Sequence, residues 1–151
     1  MLRSTMEAGR DDGGAGAGAL VGMVLAAGLG TRLRPLTNLL PKPAVPVCGV
    51  PLLRYALAAM ARAGVRRAVV NAHHLAPTLA RVAHASAAAE GLDLAVSFEP
   101  EIAGTGGALR EARSLLSGAE AIVLWNGDVL FDLGLPPVVP EHRRTGVLAT
   151  M

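Results

Sequence analysis

The chain of 151 residues is short of aromatic side chains: one Trp, one Tyr and two Phe, 3% in all. A core must therefore be assembled from Ala, Val, Leu and Met. It has a single cysteine, Cys48, which excludes an internal disulfide framework and a cysteine-only zinc site. It has a single lysine, Lys42, so nearly all its basic character comes from arginine. Charged residues make up 17%, below the roughly 25% of globular chains, which argues against a disordered or strongly solvated protein. A formal net charge of +2 is too small for an electrostatic nucleic-acid footprint. No apolar run approaches the roughly 18 residues that a membrane span needs.

What is present is 52% hydrophobic residues, enough in a chain of this length to bury one sizeable core. Residues 1–19 carry five of the glycines with no apolar periodicity and are expected to form a tail. Val21 to Ala27 is a short apolar run that suits a buried central strand. Gly28 to Cys48 has prolines at 35, 41, 43 and 46 and reads as a long irregular loop, a kind of segment that is usually functional. Pro51 opens a helix with Leu53, Ala56, Leu57 and Met60 on one face, closed by Gly64.

Arg67–Ala72 reads as a second strand, Pro77–Glu90 as a second helix with Leu79, Val82 and Ala83 inward, and Leu94–Phe98 as a third strand. A third helix is expected over Gly107–Leu116 and a fourth strand over Ala121–Trp125. Gly146–Met151 looks like the start of a fifth. Trp125 and Phe98 are expected in the core, with Cys48 a buried small apolar residue.

This alternation predicts an α/β fold: a doubly wound, mostly parallel sheet with helices on both faces. Ligands in such folds sit beyond the carboxyl ends of the strands. Gly28–Arg34, Asn71–His74, Glu99–Gly107 and Asn126–Asp128 should therefore surround one crevice. A cytoplasmic protein is expected.

The most informative string is Gly28-Leu29-Gly30-Thr31-Arg32-Leu33-Arg34-Pro35-Leu36-Thr37, followed by Pro41-Lys42-Pro43. Glycines directly after a buried strand let the backbone turn and aim several N–H groups at one point, which suits a phosphate. Arg32 would add a planar fork and Lys42 a mobile point charge. A dinucleotide fingerprint fails because Leu33 stands where a third glycine is needed and Pro35 interrupts the helix. A Walker loop fails because no Gly-Lys-Ser/Thr follows. His73 and His74, adjacent on a strand, point to opposite faces and make a poor chelating pair.

Gly28 to Lys42 resembles the signature of the sugar-1-phosphate nucleotidyltransferases. Val70-Asn71-Ala72-His73, Gly104-Thr105-Gly106-Gly107 and Asn126-Gly127-Asp128 fall in that family's order. The resemblance implies a Rossmann-like nucleotidyltransferase fold, here its N-terminal nucleotide-binding portion over residues 20–151, truncated at the C-terminus. It implies transfer of a nucleotidyl group from a nucleoside triphosphate to a sugar 1-phosphate, with Mg2+, and no nucleic-acid or membrane partner. Self-association of the full-length protein stays open.

It further implies Arg32 and Lys42 as catalytic residues. Leu25, Ala26, Ala27, Gly28, Gly30, Thr31, Thr105, Gly106, Gly107, Asn126 and Gly127 would be nucleotide-binding, and Asp128 the metal ligand. Asp132 is expected to be solvated. The Glu-Pro-x-x-x-Gly-Thr-Gly-Gly pattern from Glu99 looks more like guanylyl or uridylyl enzymes than thymidylyl ones, and Glu99 and Glu101 flank the loop. The second metal carboxylate of the family falls later than this chain reaches, so the chain alone is expected to be inactive or weakly active. The alternative is a regulatory homologue that keeps the fold without catalysis. Retention of Arg32, Lys42 and Asp128 favours the enzyme.

Overall fold

The computed structural model describes residues 19–130, 132 and 134–151. The tail expected over residues 1–19 therefore lies outside the described residues except for Ala19, whose carbonyl accepts the Glu120 N–H at 3.0 Å.

The elements run β1 (Leu20–Leu25), β2 (Pro46–Val47), β3 (Val50–Pro51), α1 (Leu52–Arg62), β4 (Arg67–Ala72), α2 (Ala76–Ala89), β5 (Asp93–Phe98), α3 (Gly104–Glu111), β6 (Ala121–Asn126) and α4 (Val138–Thr145). Three short 3-10 turns, at Thr31–Leu33, Leu36–Asn38 and Lys42–Ala44, punctuate the loop between β1 and β2. The four long strands form one parallel sheet in the order β5-β4-β1-β6.

Strand alternation sends successive side chains to opposite faces. Val24, Val70 and Trp125 pack on one face with Leu53, Leu57 and Met60 of α1 and Leu79 and Ala83 of α2. Val21, Met23 and Val69 pack on the other with Ala108 of α3 and with Ala112 and Leu116 just beyond it. Helices therefore cover both faces, as a doubly wound sheet requires. The inward faces of α1 and α2 are those the periodicity predicts, with Val82 only partly buried. Gly22 makes room for α1, since a Cβ there would lie 2.5 Å from the Met60 sulfur. Among the described residues, no helix is long and apolar enough to cross a membrane.

Several expectations are corrected. Residues 146–151 form no strand: α4 runs to Thr145, Gly146 closes it in the left-handed region at φ 61°, and Leu148 and Met151 project into solvent with no strand beside them. The weak apolar pattern after residue 131 conceals that helix, whose proline at 140 sits in the first turn, where no backbone N–H is required. On its exposed face Arg144 donates to Glu141 and holds that carboxyl below its ordinary range.

Phe98 ends the edge strand β5 and is 62% exposed rather than in the core. Cys48 is exposed, not buried: with Gly49 it makes the two-residue turn of the β2–β3 hairpin, both at positive φ (50° and 78°). Trp125 is buried, and its indole N–H donates to the Val129 carbonyl. β6 is as apolar as β1 but lies at an edge, and Ile122 and Leu124 are exposed.

Candidate active site

The strands run in chain order outward from β1 through β4 to β5, while β6 returns to the other side of β1. At that reversal the loops after β1 and β6 diverge and leave a crevice, the place where open parallel sheets take ligands. A cleft of about 320 Å³ opens there.

One wall is the chain leaving β1. Leu25, Ala26, Ala27, Gly28, Gly30 and Thr31 all line the cleft. Gly30 sits in the left-handed region (φ 63°, ψ 29°), and a Cβ there would come within 2.9 Å of the Thr37 methyl. Thr37 is buried behind it and donates its hydroxyl to the Gly30 carbonyl at 2.8 Å. Gly28, by contrast, faces open space. Among the described residues no protein acceptor takes the N–H groups of Gly28, Leu29, Gly30 or Thr31. The chain continues into 3-10 turns, not the α-helix of a dinucleotide fold.

The charged groups converge from both sides. Arg32 and Lys42 line the cleft, as do Asn126 and Asp128 at the end of β6. Lys42 Nζ donates to Asp128 Oδ2 at 2.6 Å, across 86 residues of sequence. Arg32 makes no ion pair among the described residues.

The third wall differs from the expected loop. Gly104 to Gly107 are the first turn of α3, not a segment preceding it. Four such residues are poor helix formers, so the packing of Ala108, Ala112 and Leu116 beneath the sheet holds the turn in place. The α-helix ends at Glu111, with turns to Gly118 instead of regular helix to Leu116. Gly104 and Thr105 line the cleft, and the first N–H groups of a helix have no partner within it.

Gly106, Gly107 and Gly127 are not brought to the cleft surface. Gly127 is buried, a Cβ there would meet the Leu25 carbonyl at 2.9 Å, and its own N–H donates to that oxygen at 2.8 Å. Its requirement for glycine is one of packing.

Asn71 and Glu99 reach the crevice as the topology predicts, and Leu33, Pro43 and Ile102 join them. Glu101 and Asp132 are exposed and outside the cleft. The two histidines diverge: His73 Nδ1 lies 3.0 Å from the Glu99 carbonyl and His74 Nε2 2.6 Å from that of Thr37. Each ring nitrogen must therefore donate a proton there.

Among the described residues no group of three or more His, Cys, Asp or Glu could hold a metal by itself. Of the two carboxylates that line the cleft, Asp128 is exposed, whereas Glu99 is buried with both oxygens accepting hydrogen bonds. That donor set does not fit a self-contained cage. It does fit Mg2+, which is commonly held by one or two carboxylates together with a substrate's phosphate oxygens.

A family model described as nucleotidyl transferase matches residues 21–151. A mannose-1-phosphate guanylyltransferase catalytic subunit beta from Danio rerio is 35% identical over 125 residues, which is 82% of this chain and 35% of that protein. A UTP–glucose-1-phosphate uridylyltransferase from Synechocystis is 32% identical over 139 residues, 85% of this chain and 36% of that one. A crystal structure of UDP-glucose pyrophosphorylase complexed with UDP-glucose superposes with a TM-score of 0.68 at 20% identity, over 85% of this chain and 55% of its own, a likeness of fold. The chain spans about a third of the length of the curated relatives it matches.

Proposed function

The chain belongs to the nucleotidyl transferase family, and from that premise we propose that it binds a nucleoside triphosphate in the cleft and serves transfer of the nucleotidyl group to a sugar 1-phosphate. A phosphate oxygen of the sugar attacks the α-phosphorus in line. One P–O bond forms, the bond to the β-phosphate breaks, and pyrophosphate leaves with the electron pair. A phosphate monoester has its second pKa near 6, so the nucleophile is already largely dianionic at neutral pH and no general base is needed. The task left to the protein is to hold two polyanions together and to stabilise the departing charge.

The observation that carries this reading is the set of free N–H groups from Gly28 to Thr31, opening onto the cleft that Arg32 and Lys42 line. In this reading the loop cradles the triphosphate, Arg32 neutralises the leaving pyrophosphate, and Lys42 draws the α-phosphate and the sugar phosphate together. Gly104 and Thr105 at the start of α3, with Asn126, border the nucleoside. Gly106, Gly107 and Gly127 support these walls from behind.

Asp128 would hold Mg2+, which when bound supplies positive charge to the phosphate oxygens. Lys42, which pairs with Asp128, would then be free to face the phosphates. Guanylyl or uridylyl transfer is favoured by the names of the relatives and by the Glu99-to-Gly107 pattern. The setting we propose is the cytoplasm.

Pyrophosphate release across GTP, UTP, ATP and dTTP with a panel of sugar 1-phosphates tests the proposal. The expected result is weak turnover with GTP or UTP, in keeping with a chain that spans about a third of its relatives' length. Arg32→Ala and Lys42→Ala should each lower it by roughly 10²–10³ while the thermal transition stays in place. Nucleotide binding with no release for any pair, both from this chain and from a version extended to its relatives' length, would overturn the catalytic reading in favour of the regulatory homologue.

A further inference from the structure

Two buried polar side chains in the cleft lining have no part in the chemistry above. Asn71, near the end of β4, and Glu99, just past β5, are each 4% exposed. Asn71 Oδ1 accepts the Ala26 N–H at 2.6 Å, and its Nδ2 donates to Glu99 Oε1 at 2.8 Å. Glu99 Oε2 accepts the Ala103 N–H at 3.4 Å. A backbone N–H only donates and a carboxylate only accepts, so the Asn71 amide can be oriented in one way.

The chain of bonds has a clear geography. Ala26 leads into the glycine loop, and Ala103 precedes the first turn of α3. One amide and one carboxylate thus connect the roots of two facing walls. Glu99 has no cationic partner among the described residues. Burying a carboxylate without a countercharge is costly, and an apolar pair would serve a purely structural contact at lower cost.

We propose that Asn71 and Glu99 are a positioning pair that sets the separation of the triphosphate loop from the helix bordering the nucleoside, and so fixes the geometry in which a nucleotide binds. This rests on the nucleotide reading of the cleft. Neither residue touches the reacting atoms; both act through the backbone of Ala26 and Ala103.

The test reverses the polarity of the pair. In Asn71→Asp, one new oxygen still takes the Ala26 N–H but the other faces Glu99, carboxylate against carboxylate. In the double variant N71D/E99Q, the introduced amide donates to the introduced carboxylate while its oxygen accepts from Ala103, and every bond is restored at unchanged net charge. GTP and UTP affinity with Mg2+, by titration calorimetry, should fall about tenfold in N71D and return to near wild type in N71D/E99Q. E99Q alone opposes two donors and should bind at an intermediate level.

Amide exchange at Ala26 and Ala103 without nucleotide reads the pair independently. Protection should be lost at Ala103 in N71D and regained in the double variant. Unchanged affinity in N71D, or recovered protection without recovered affinity, overturns the proposal. A wild type that binds neither nucleotide defeats the nucleotide reading instead, and exchange alone then decides whether the pair links the two walls. Should N71D fail to fold, the contrast of E99Q with N71D/E99Q carries the same decision.

Discussion

Lys42 and Asp128 neutralise each other across the mouth of the cleft, and the contact is only partly shielded, with side chains 26% and 40% exposed. An ion pair so placed contributes little to stability. It acts as a competitor: a cation approaching Asp128 must displace the Lys42 ammonium. Lys42→Ala should therefore strengthen binding of Mn2+ in the absence of nucleotide, by roughly two- to fivefold, measured by the loss of its free electron-paramagnetic signal. Gly30 behaves differently. Its positive φ and its closeness to the Thr37 methyl both oppose a side chain. Gly30→Ala should cost about 1–2 kcal/mol in urea denaturation, whereas Gly28→Ala, facing open space, should leave stability near wild type while lowering nucleotide affinity.

At this scale the sequence identifies which residues gather but not how they are joined. Strand ends announce that Asn71 and Glu99 reach the crevice. A bond between side chains 28 residues apart leaves no periodic trace. Nor does the pattern separate the glycines that face the cleft from Gly127, which is glycine because β1 passes within contact of it.

Among the elements, α1 is the most legible, because Leu53, Ala56, Leu57 and Met60 repeat at helical spacing between Pro51 and Gly64. The start of α3 is the least legible. Gly-Thr-Gly-Gly reads locally as loop, and the helix exists there because Ala108, Ala112 and Leu116 are buried under the sheet. The β2–β3 hairpin misleads about Cys48 for a related reason: a small apolar residue usually goes inside, but this one occupies a left-handed turn position. Two-residue turns with both residues at positive φ favour Asn-Gly. Cys48→Asn should accordingly stabilise the chain by about 0.5–1 kcal/mol, read as a higher urea midpoint with an unchanged slope.

For the whole molecule, hydrophobicity alone does not rank strands by depth. β1 and β6 are equally apolar, yet only β1 lies between two neighbours, and β6 leaves Ile122 43% and Leu124 42% exposed at an edge. An apolar strand edge is a route to self-association. Leu124→Lys should reduce concentration-dependent light scattering of the chain with little change in its thermal transition, because that side chain is not part of either packed cluster.

The pairing of β1 with β6 also bears on when the protein becomes competent. Lys42 and Asp128 stand 86 residues apart, and nothing local brings them together. Closing so long a loop carries an entropic cost that must be met before the contact can repay it. During synthesis the glycine loop, α1, β4 and α2 all emerge well ahead of β6. On the proposed reading, affinity for a nucleotide with its metal would therefore be a late property of the growing chain, absent until Asn126-Gly127-Asp128 has cleared the ribosome and docked beside β1, and its onset would mark the moment the sheet acquires its last described strand.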